Sequence, residues 1–204
     1  MMGSGFLQRS LSKIDGMDTE RRILEGVLRS AQRLASLVSD LHDATKLEAG
    51  ELILERNRLG VASLLEAAVA AASEAAAKQG VSIVAGPAPP GTFVMCDRAR
   101  VLQALGELIE NALRYSPSAG TVRVEAELLE GNVVFSVIDE GSGMRPDQRA
   151  HAFDPYWHAS QSPRDGTGLG LALVHGIATL HGGGARVEGL EKGTRAVFWL
   201  ASCA

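Results

Sequence analysis

The chain has 204 residues, 46% of them hydrophobic and 22% charged, with a formal net charge of −4. That size and balance allow one good core, or one core with a helical piece appended. The acidic excess excludes a general nucleic-acid binder, whose phosphate contacts need surplus Lys and Arg on one face. Two cysteines, Cys96 and Cys203, lack metal-ligand spacing and read as reduced thiols rather than a disulfide. No apolar run approaches about 18 residues and the N-terminus has no signal-peptide core. The expectation is a soluble, cytoplasmic chain with no membrane span.

The first organised segment runs Leu24, Val27, Ala31, Leu34, Val38, Leu41, Thr45, in steps of 3, 4, 3, 4, 3, 4. This narrow stripe is the seam of a helical bundle rather than the broader face of a helix lying on a globular core. Gly50 ends it as a C′ glycine. One seam alone cannot hold a helix in water, so it needs partners. Leu7–Ile14 is a candidate for part of one, joined through Asp15-Gly16, and a second subunit would supply the others.

Residues 63–79 form an Ala-rich helix, entered at Ser63 and stopped by Gly80. Residues 81–85 and 92–96 read as strands around the turn-rich run Gly86-Pro87-Ala88-Pro89-Pro90-Gly91. Asp97 caps a helix reaching about Arg114, and strands 121–129 and 133–139 form a hairpin through Glu130-Gly131-Asn132. Residues 140–167 carry little regular pattern. A helix over 168–181 follows, ended by three glycines, and residues 185–188 and 196–200 make a last hairpin. Strands and helices mix without strict alternation, which indicates an α+β fold with a mixed sheet in a two-layer sandwich. The expected division is 1–55 for the helical dimerisation segment and 56–204 for the second domain.

Three short pieces carry the chemistry. Glu107 and Asn111 are four apart on one helix, so a carboxylate and a carboxamide share a face suited to a hydrated Mg²⁺. Asp139 ends a buried strand ahead of Gly141, Gly143 and Met144, where a carboxylate can accept from an exocyclic amine and glycines admit a flat ligand. Gly166-Thr167-Gly168-Leu169-Gly170-Leu171 opens directly into a helix, so free backbone amides and the helix's positive end converge on a phosphate site. Neither the Gly-x4-Gly-Lys-Ser/Thr loop nor a strand-borne Gly-x-Gly-x-x-Gly is present.

Taken together these pieces resemble the catalytic domain of sensor histidine kinases, in the ATPase superfamily shared with type II topoisomerases and MutL proteins. Asn111-Ala112 matches the N box, Asp139–Gly143 the first glycine box and Phe153-Asp154-Pro155-Tyr156 the F box. Gly166–Leu171 matches the second glycine box, and Gly193-Thr194 the pair before the last strand. The helix ending Leu47-Glu48-Ala49-Gly50 is similar to the second helix of the family's dimerisation and phosphotransfer hairpin.

The resemblance implies an ATP-dependent histidine kinase that passes phosphoryl onward to a response regulator receiver domain. It implies a homodimer that is cytoplasmic, alone or as the cytoplasmic portion of a larger sensor. Asn111 would hold Mg²⁺, and Asp139 the adenine amine. Tyr115, Arg114, Gly141, Gly143 and Met144 would border the nucleotide. Gly166, Thr167, Gly168, Leu169, Gly170 and Leu171 would frame its phosphates, with 144–165 as the lid.

The chain departs from the pattern in three places. No histidine has the acceptor's neighbours, since His42-Asp43 lies on the wrong helix with no proline after it. His158 stands near a place the family gives to Arg or Lys, with Arg164 as a substitute. Glu107 replaces a second Asn, and the superfamily's hydrolases use a Glu there as general base for water. Two alternatives follow: a non-enzymatic phosphotransfer scaffold, and an ATP hydrolase using Glu107.

Overall fold

A computed structural model describes residues 18–158 and 167–203. The candidate helix Leu7–Ile14, Arg164 and Gly166 lie outside the described residues. In chain order the elements are α1 Asp18–Glu48, β1 Asn57–Gly60, α2 Val61–Gln79, β2 Ser82–Ala85, β3 Phe93–Cys96 and α3 Arg98–Tyr115. There follow β4 Thr121–Leu129, β5 Asn132–Ile138, α4 Pro146–Ala150, α5 Gly170–Leu180, β6 Gly184–Gly189 and β7 Thr194–Cys203.

The chain forms two compact units that divide between His42 and Asp43. In the first, the seam residues Val27, Leu34, Val38 and Leu41 all stand open to solvent, Val38 at 67%. A large apolar residue every third or fourth position, left uncovered, is a face built to meet other helices. Past the division, α1 stops in a Schellman turn: the Glu51 N–H donates to the Lys46 carbonyl at 2.9 Å and the Gly50 N–H to Leu47 at 3.1 Å. Gly50 takes the left-handed conformation this turn needs, φ 68°.

The second unit begins at Asp43. Asp43 and Leu52 are buried, the Glu55 N–H donates to Asp97 Oδ2 at 3.0 Å, and Arg56 donates to the Leu180 carbonyl at 2.6 Å. These side chains fasten residues 43–56 to the body that follows. Ionic and hydrogen-bonding anchors of this kind leave no periodic signature in sequence.

The sheet has seven strands in the order β1-β3-β7-β5-β4-β2, with β6 also on β7. Only β2–β4 is parallel; every other pairing is antiparallel. This is the α+β mixed sheet expected. Alternation along the strands turns Val122, Val124, Val133, Phe135, Val137, Phe198 and Leu200 to one face, where they are buried. α2, α3 and α5 supply the opposing layer through Leu64, Leu65, Leu105, Leu108, Ile109, Val174 and Ile177. Phe135 and Phe198 stack across β5–β7 with ring centroids 4.9 Å apart. Each fully buried ring contributes roughly 1.5–3 kcal/mol.

Four local expectations need correction. α2 begins at Val61, straight off β1, and Ser63 is not its cap: the Ser63 hydroxyl donates back to the Gly60 carbonyl at 2.8 Å. Val61, Leu64, Leu65 and Ala68 are buried at helical spacing, so the helix starts where its apolar stripe starts. Strand β1, with the sequence Asn-Arg-Leu-Gly, has no alternation to betray it and forms because β3 offers it an edge. The 140–167 stretch contains the short helix α4, opened by Pro146 and by Gln148, whose side chain accepts the Arg145 N–H at 2.9 Å. α5 begins two residues later than expected, at Gly170.

Candidate functional site

The site is assembled from α3, the end of β5, the β6–β7 turn and the start of α5. α3 starts where the Asp97 carboxylate accepts the N–H groups of Ala99 and Arg100, at 2.9 and 3.2 Å. Its apolar stripe, Val101, Ala104, Leu105, Leu108, Ile109 and Ala112, is buried against the sheet. That fixes the rotation of the helix and sends Arg100, Gln103, Glu107 and Asn111 down one other face at i, i+3, i+7 and i+11. Glu107 and Asn111 are both half-buried.

Asp139 follows the last residue of β5 and is 7% exposed. Its Oδ1 accepts the Gly141 N–H at 2.7 Å, and the Thr194 backbone also hydrogen-bonds its carboxylate. Burial pushes the carboxyl above its ordinary range, and these two backbone bonds oppose the rise. Two glycines make the arrangement possible. A β-carbon on Gly193 would stand 1.8 Å from the Asp139 carbonyl oxygen, and one on Gly141 would stand 2.6 Å from the Tyr115 carbonyl oxygen. The room expected here for a flat ligand is therefore taken up, at Gly141, by the chain's own backbone, which ties the end of α3 to Asp139. Gly143 similarly admits the Gly193 carbonyl, and Met144 is half-buried beside it.

The second glycine box leads into α5. Thr167 Oγ1 accepts the Leu169 N–H at 3.1 Å, and Leu169 itself is buried. Leu169 occupies the N-cap position and offers no capping side chain, and the first turn of α5 has no acidic residue. The leading N–H groups around Gly170 and Leu171 thus begin a helix without a side-chain cap from their own loop. A β-carbon on Gly170 would lie 2.4 Å from Glu107 Oε2, so the glycine lets the carboxylate of α3 reach the first turn of α5. Gly168 accepts the Tyr156 N–H at 2.9 Å, and holds the F-box segment, where Tyr156 has φ 63°. Phe153 packs on the His175 ring, with centroids 5.7 Å apart.

The other expected residues fall as follows. The Arg114 guanidinium pairs with Glu110 one turn back, Nη2 to Oε1 2.6 Å. The Tyr115 side chain is exposed at the end of α3. His42 is exposed, while its neighbour Asp43 is buried. His181 meets the end of α5, with Nδ1 2.7 Å from the Ile177 carbonyl, and its Nε2 accepts the Asp97 N–H at 3.1 Å. Both cysteines are free thiols, and burial pushes Cys96 up to about 11.

Asp43, Arg100 and Gln103 form a cluster that sequence reasoning missed. Only the helical position of Arg100 and Gln103, in line with Glu107, hinted at it. No group of three or more His, Cys, Asp or Glu fit to hold a metal exists among the described residues. Glu107 and Asn111 instead offer hard oxygen donors one turn apart, a set that fits Mg²⁺ shared with phosphate oxygens and water rather than caged by protein. No described helix is long and apolar enough to cross a membrane.

The mixed sheet, its helical layer, the buried acid at a strand end and the glycine-led start of α5 define an α+β domain of the ATPase type. A family model described as histidine kinase-, DNA gyrase B-, and HSP90-like ATPase matches residues 96–202. The chain belongs to this family, and carries the catalytic ATP-binding domain of a sensor histidine kinase.

The sensor-like histidine kinase SenX3 of Mycolicibacterium smegmatis is 30% identical over 194 residues, covering 94% of this chain and 50% of that protein. The sensor protein DivL of Caulobacter vibrioides is 34% identical over 189 residues, covering 92% of this chain and 24% of that one. The chain thus spans half or less of the length of these relatives. Among solved structures, full-length ShkA in complex with AMPPNP superposes with a TM-score of 0.78 at 30% identity, over 91% of this chain and 40% of ShkA. The Acinetobacter baumannii histidine kinase AdeS gives 0.74 at 25% identity, over 97% and 91%.

Proposed function

We propose that this chain binds MgATP and directs its γ-phosphoryl group to a histidine nitrogen, from which it passes to a response regulator receiver domain. The observation that carries the reading is the presence of two opposite recognition elements in one unit. Asp139 is a buried carboxylate suited to an exocyclic amine, and the glycine-led start of α5, whose N-cap residue Leu169 has no capping side chain, is suited to phosphate. The complex of ShkA with AMPPNP supports an adenine nucleotide as the ligand, and the crystal structure of ThkA with the response regulator TrrA supports the partner.

Each residue has a defined task in this reading. Asp139 accepts from the adenine amino group and discriminates against guanine, which presents a carbonyl there. Tyr115, Gly143 and Met144 border the base, and Gly141 holds the Asp139 carboxylate in place. The amides of Thr167 to Leu171 receive the phosphates, and the positive end of α5 adds to their attraction. Asn111, with Glu107 beside it, would hold Mg²⁺, which when bound offsets the charge on the β- and γ-phosphoryl groups. Catalysis by the chain is positioning and electrostatic stabilisation, the common pattern for phosphoryl transfer. The α1 seam makes the protein a homodimer, and the location is cytoplasmic.

Titration calorimetry with Mg²⁺ and a non-hydrolysable ATP analogue tests the reading directly; no heat of binding would refute it. Incubation with γ-labelled ATP tests the acceptor, and the chain is expected to take up no acid-labile label. Label lost in His42→Ala would make His42 the acceptor.

A further inference from the structure

We propose that Tyr156 and Gly168 are positioning residues for phosphate: the F-box segment is a backbone strap that holds the loop entering α5 in its receiving form. The inference rests on the nucleotide-binding reading above and names the part of that site the strap governs, the phosphate end rather than the base. Tyr156 lies in the left-handed region at φ 63°, a conformation that a bulky residue adopts only under constraint. The residue is 61% exposed, so burial of its ring does not offset that strain. Its backbone, by contrast, is held. The Tyr156 N–H donates to the Gly168 carbonyl at 2.9 Å. A β-carbon on Gly168 would lie 2.7 Å from both the Cα and the carbonyl carbon of Tyr156, and 3.0 Å from the Trp157 carbonyl oxygen. The two main chains therefore touch with no side chain between them.

The bond falls on one particular peptide. The Gly168 carbonyl belongs to the Gly168–Leu169 unit, whose N–H donates to Thr167 Oγ1 at 3.1 Å. That unit is held from both sides, by the strap at its oxygen and by Thr167 at its nitrogen. Leu169, the N-cap residue of α5, follows with its side chain buried, and its carbonyl accepts the Leu173 N–H at 2.9 Å. Fixing this peptide plane fixes the direction in which the amides of Gly170 and Leu171 point, and in the reading above these receive phosphate. The left-handed turn at Tyr156 brings its N–H onto the Gly168 carbonyl and its own Cα onto Gly168 together.

The test separates backbone from ring, and phosphate from base. Affinities of the full chain are measured by titration with Mg²⁺ and AMPPNP, and with adenosine, which has no phosphate. Tyr156→Gly and Tyr156→Asn lose the ring but accept the left-handed conformation, and should keep AMPPNP affinity within about twofold. Tyr156→Val and Tyr156→Thr carry a β-branch that opposes this conformation, and should weaken AMPPNP at least about fivefold. Adenosine affinity should stay unchanged in all four, which also shows that the body of each variant is folded.

AMPPNP affinity that follows the ring, kept in Tyr156→Phe and lost alike in the Gly, Asn, Val and Thr variants, would overturn the strap. Tyr156→Val and Tyr156→Thr that bind AMPPNP as tightly as the unsubstituted chain, or that lose adenosine in the same proportion, would also overturn it, and would leave the nucleotide reading intact. No binding of AMPPNP by the unsubstituted chain would overturn the nucleotide reading and this inference with it.

Discussion

Asp43 and Arg100 form an ion pair at the foot of α3, Oδ2 to Nη1 2.7 Å, with the Gln103 amide donating to the same oxygen at 2.8 Å. The Asp43 side chain is 11% exposed and that of Arg100 25%. The two partners are thus unequal in what they lose when left alone. Arg100→Ala takes the charged partner from a buried carboxylate. Asp43→Ala leaves a guanidinium that can reach water and still holds Gln103 Oε1 at 2.8 Å. We expect Arg100→Ala to destabilise the second unit by about 1–3 kcal/mol, and Asp43→Ala by less. Urea denaturation of the two variants checks the order, and an equal or reversed order would refute it.

Asp139 sets affinity against stability. Its folded carboxyl holds its proton more tightly than the unfolded one, because burial raises it above the ordinary 3.8. The stability it contributes is therefore present at acid pH and is lost as pH rises through the raised value. At neutral pH the buried charge is a cost to stability. Asp139→Asn is expected to leave stability unchanged or higher, while weakening ATP about ten- to a hundredfold, the worth of a charge-assisted hydrogen bond. Calorimetry and a melting curve on one preparation test both halves. ATP affinity unchanged in Asp139→Asn would remove Asp139 from base recognition.

Much of this architecture was legible because it follows periodicity and punctuation. Asp97 before the Val101–Ala112 stripe announced α3, and the alternation of 121–129 and 133–139 announced β4 and β5. Asp139, Gly141, Gly193 and the 166–171 run stood out as pieces of a pattern; the first three meet at the end of β5, and Gly170 meets Glu107 of α3. Three features escaped. β1 is a four-residue polar strand stabilised by its neighbour β3. In sequence Asp43 reads only as the acid after His42, but it lies buried and paired with Arg100. The reason Gly141 and Gly193 are glycines is contact with distant backbone, which no local spacing encodes.

The α1 seam predicts assembly. Leu34 and Val38 are 62% and 67% exposed, on a face that repeats every third and fourth residue. Burying such side chains is worth roughly 1.5–3 kcal/mol each, and a carboxylate placed among them opposes association. Leu34→Asp and Val38→Asp are expected to give monomers in sedimentation that still bind nucleotide, since both lie in the unit without the site. An unsubstituted chain that sediments as a monomer would contradict the proposed dimer.

His181 should make the fold sensitive to mild acid. It is 6% exposed, its Nδ1–H donates to the Ile177 carbonyl, and its Nε2 accepts the Asp97 N–H. That pattern requires the neutral ring, because a protonated Nε2 would lose its donor and point its own hydrogen at the Asp97 N–H. Burial lowers the pKa from 6.5, and the Arg56 charge acts with burial; the hydrogen bond to Ile177 and the Asp97 carboxylate favour protonation and oppose the fall. In the unfolded chain the ring titrates near 6.5, so below that value unfolding takes up a proton. The stability held by neutral His181 is thus present above 6.5 and is lost as pH falls toward the depressed folded value, by up to about 1.4 kcal/mol per pH unit. Two acids with shifted titration have to be separated from it. Asp97 is lowered from 3.8, so its contribution is lost only in stronger acid. Asp139 is raised, and acts with the opposite sign. The difference between the unsubstituted chain and His181→Gln isolates the ring, since both carboxylates remain. Urea midpoints measured from about pH 7.5 to 5.5 should fall more steeply for the unsubstituted chain than for His181→Gln. Parallel curves would show that His181 does not titrate against the fold.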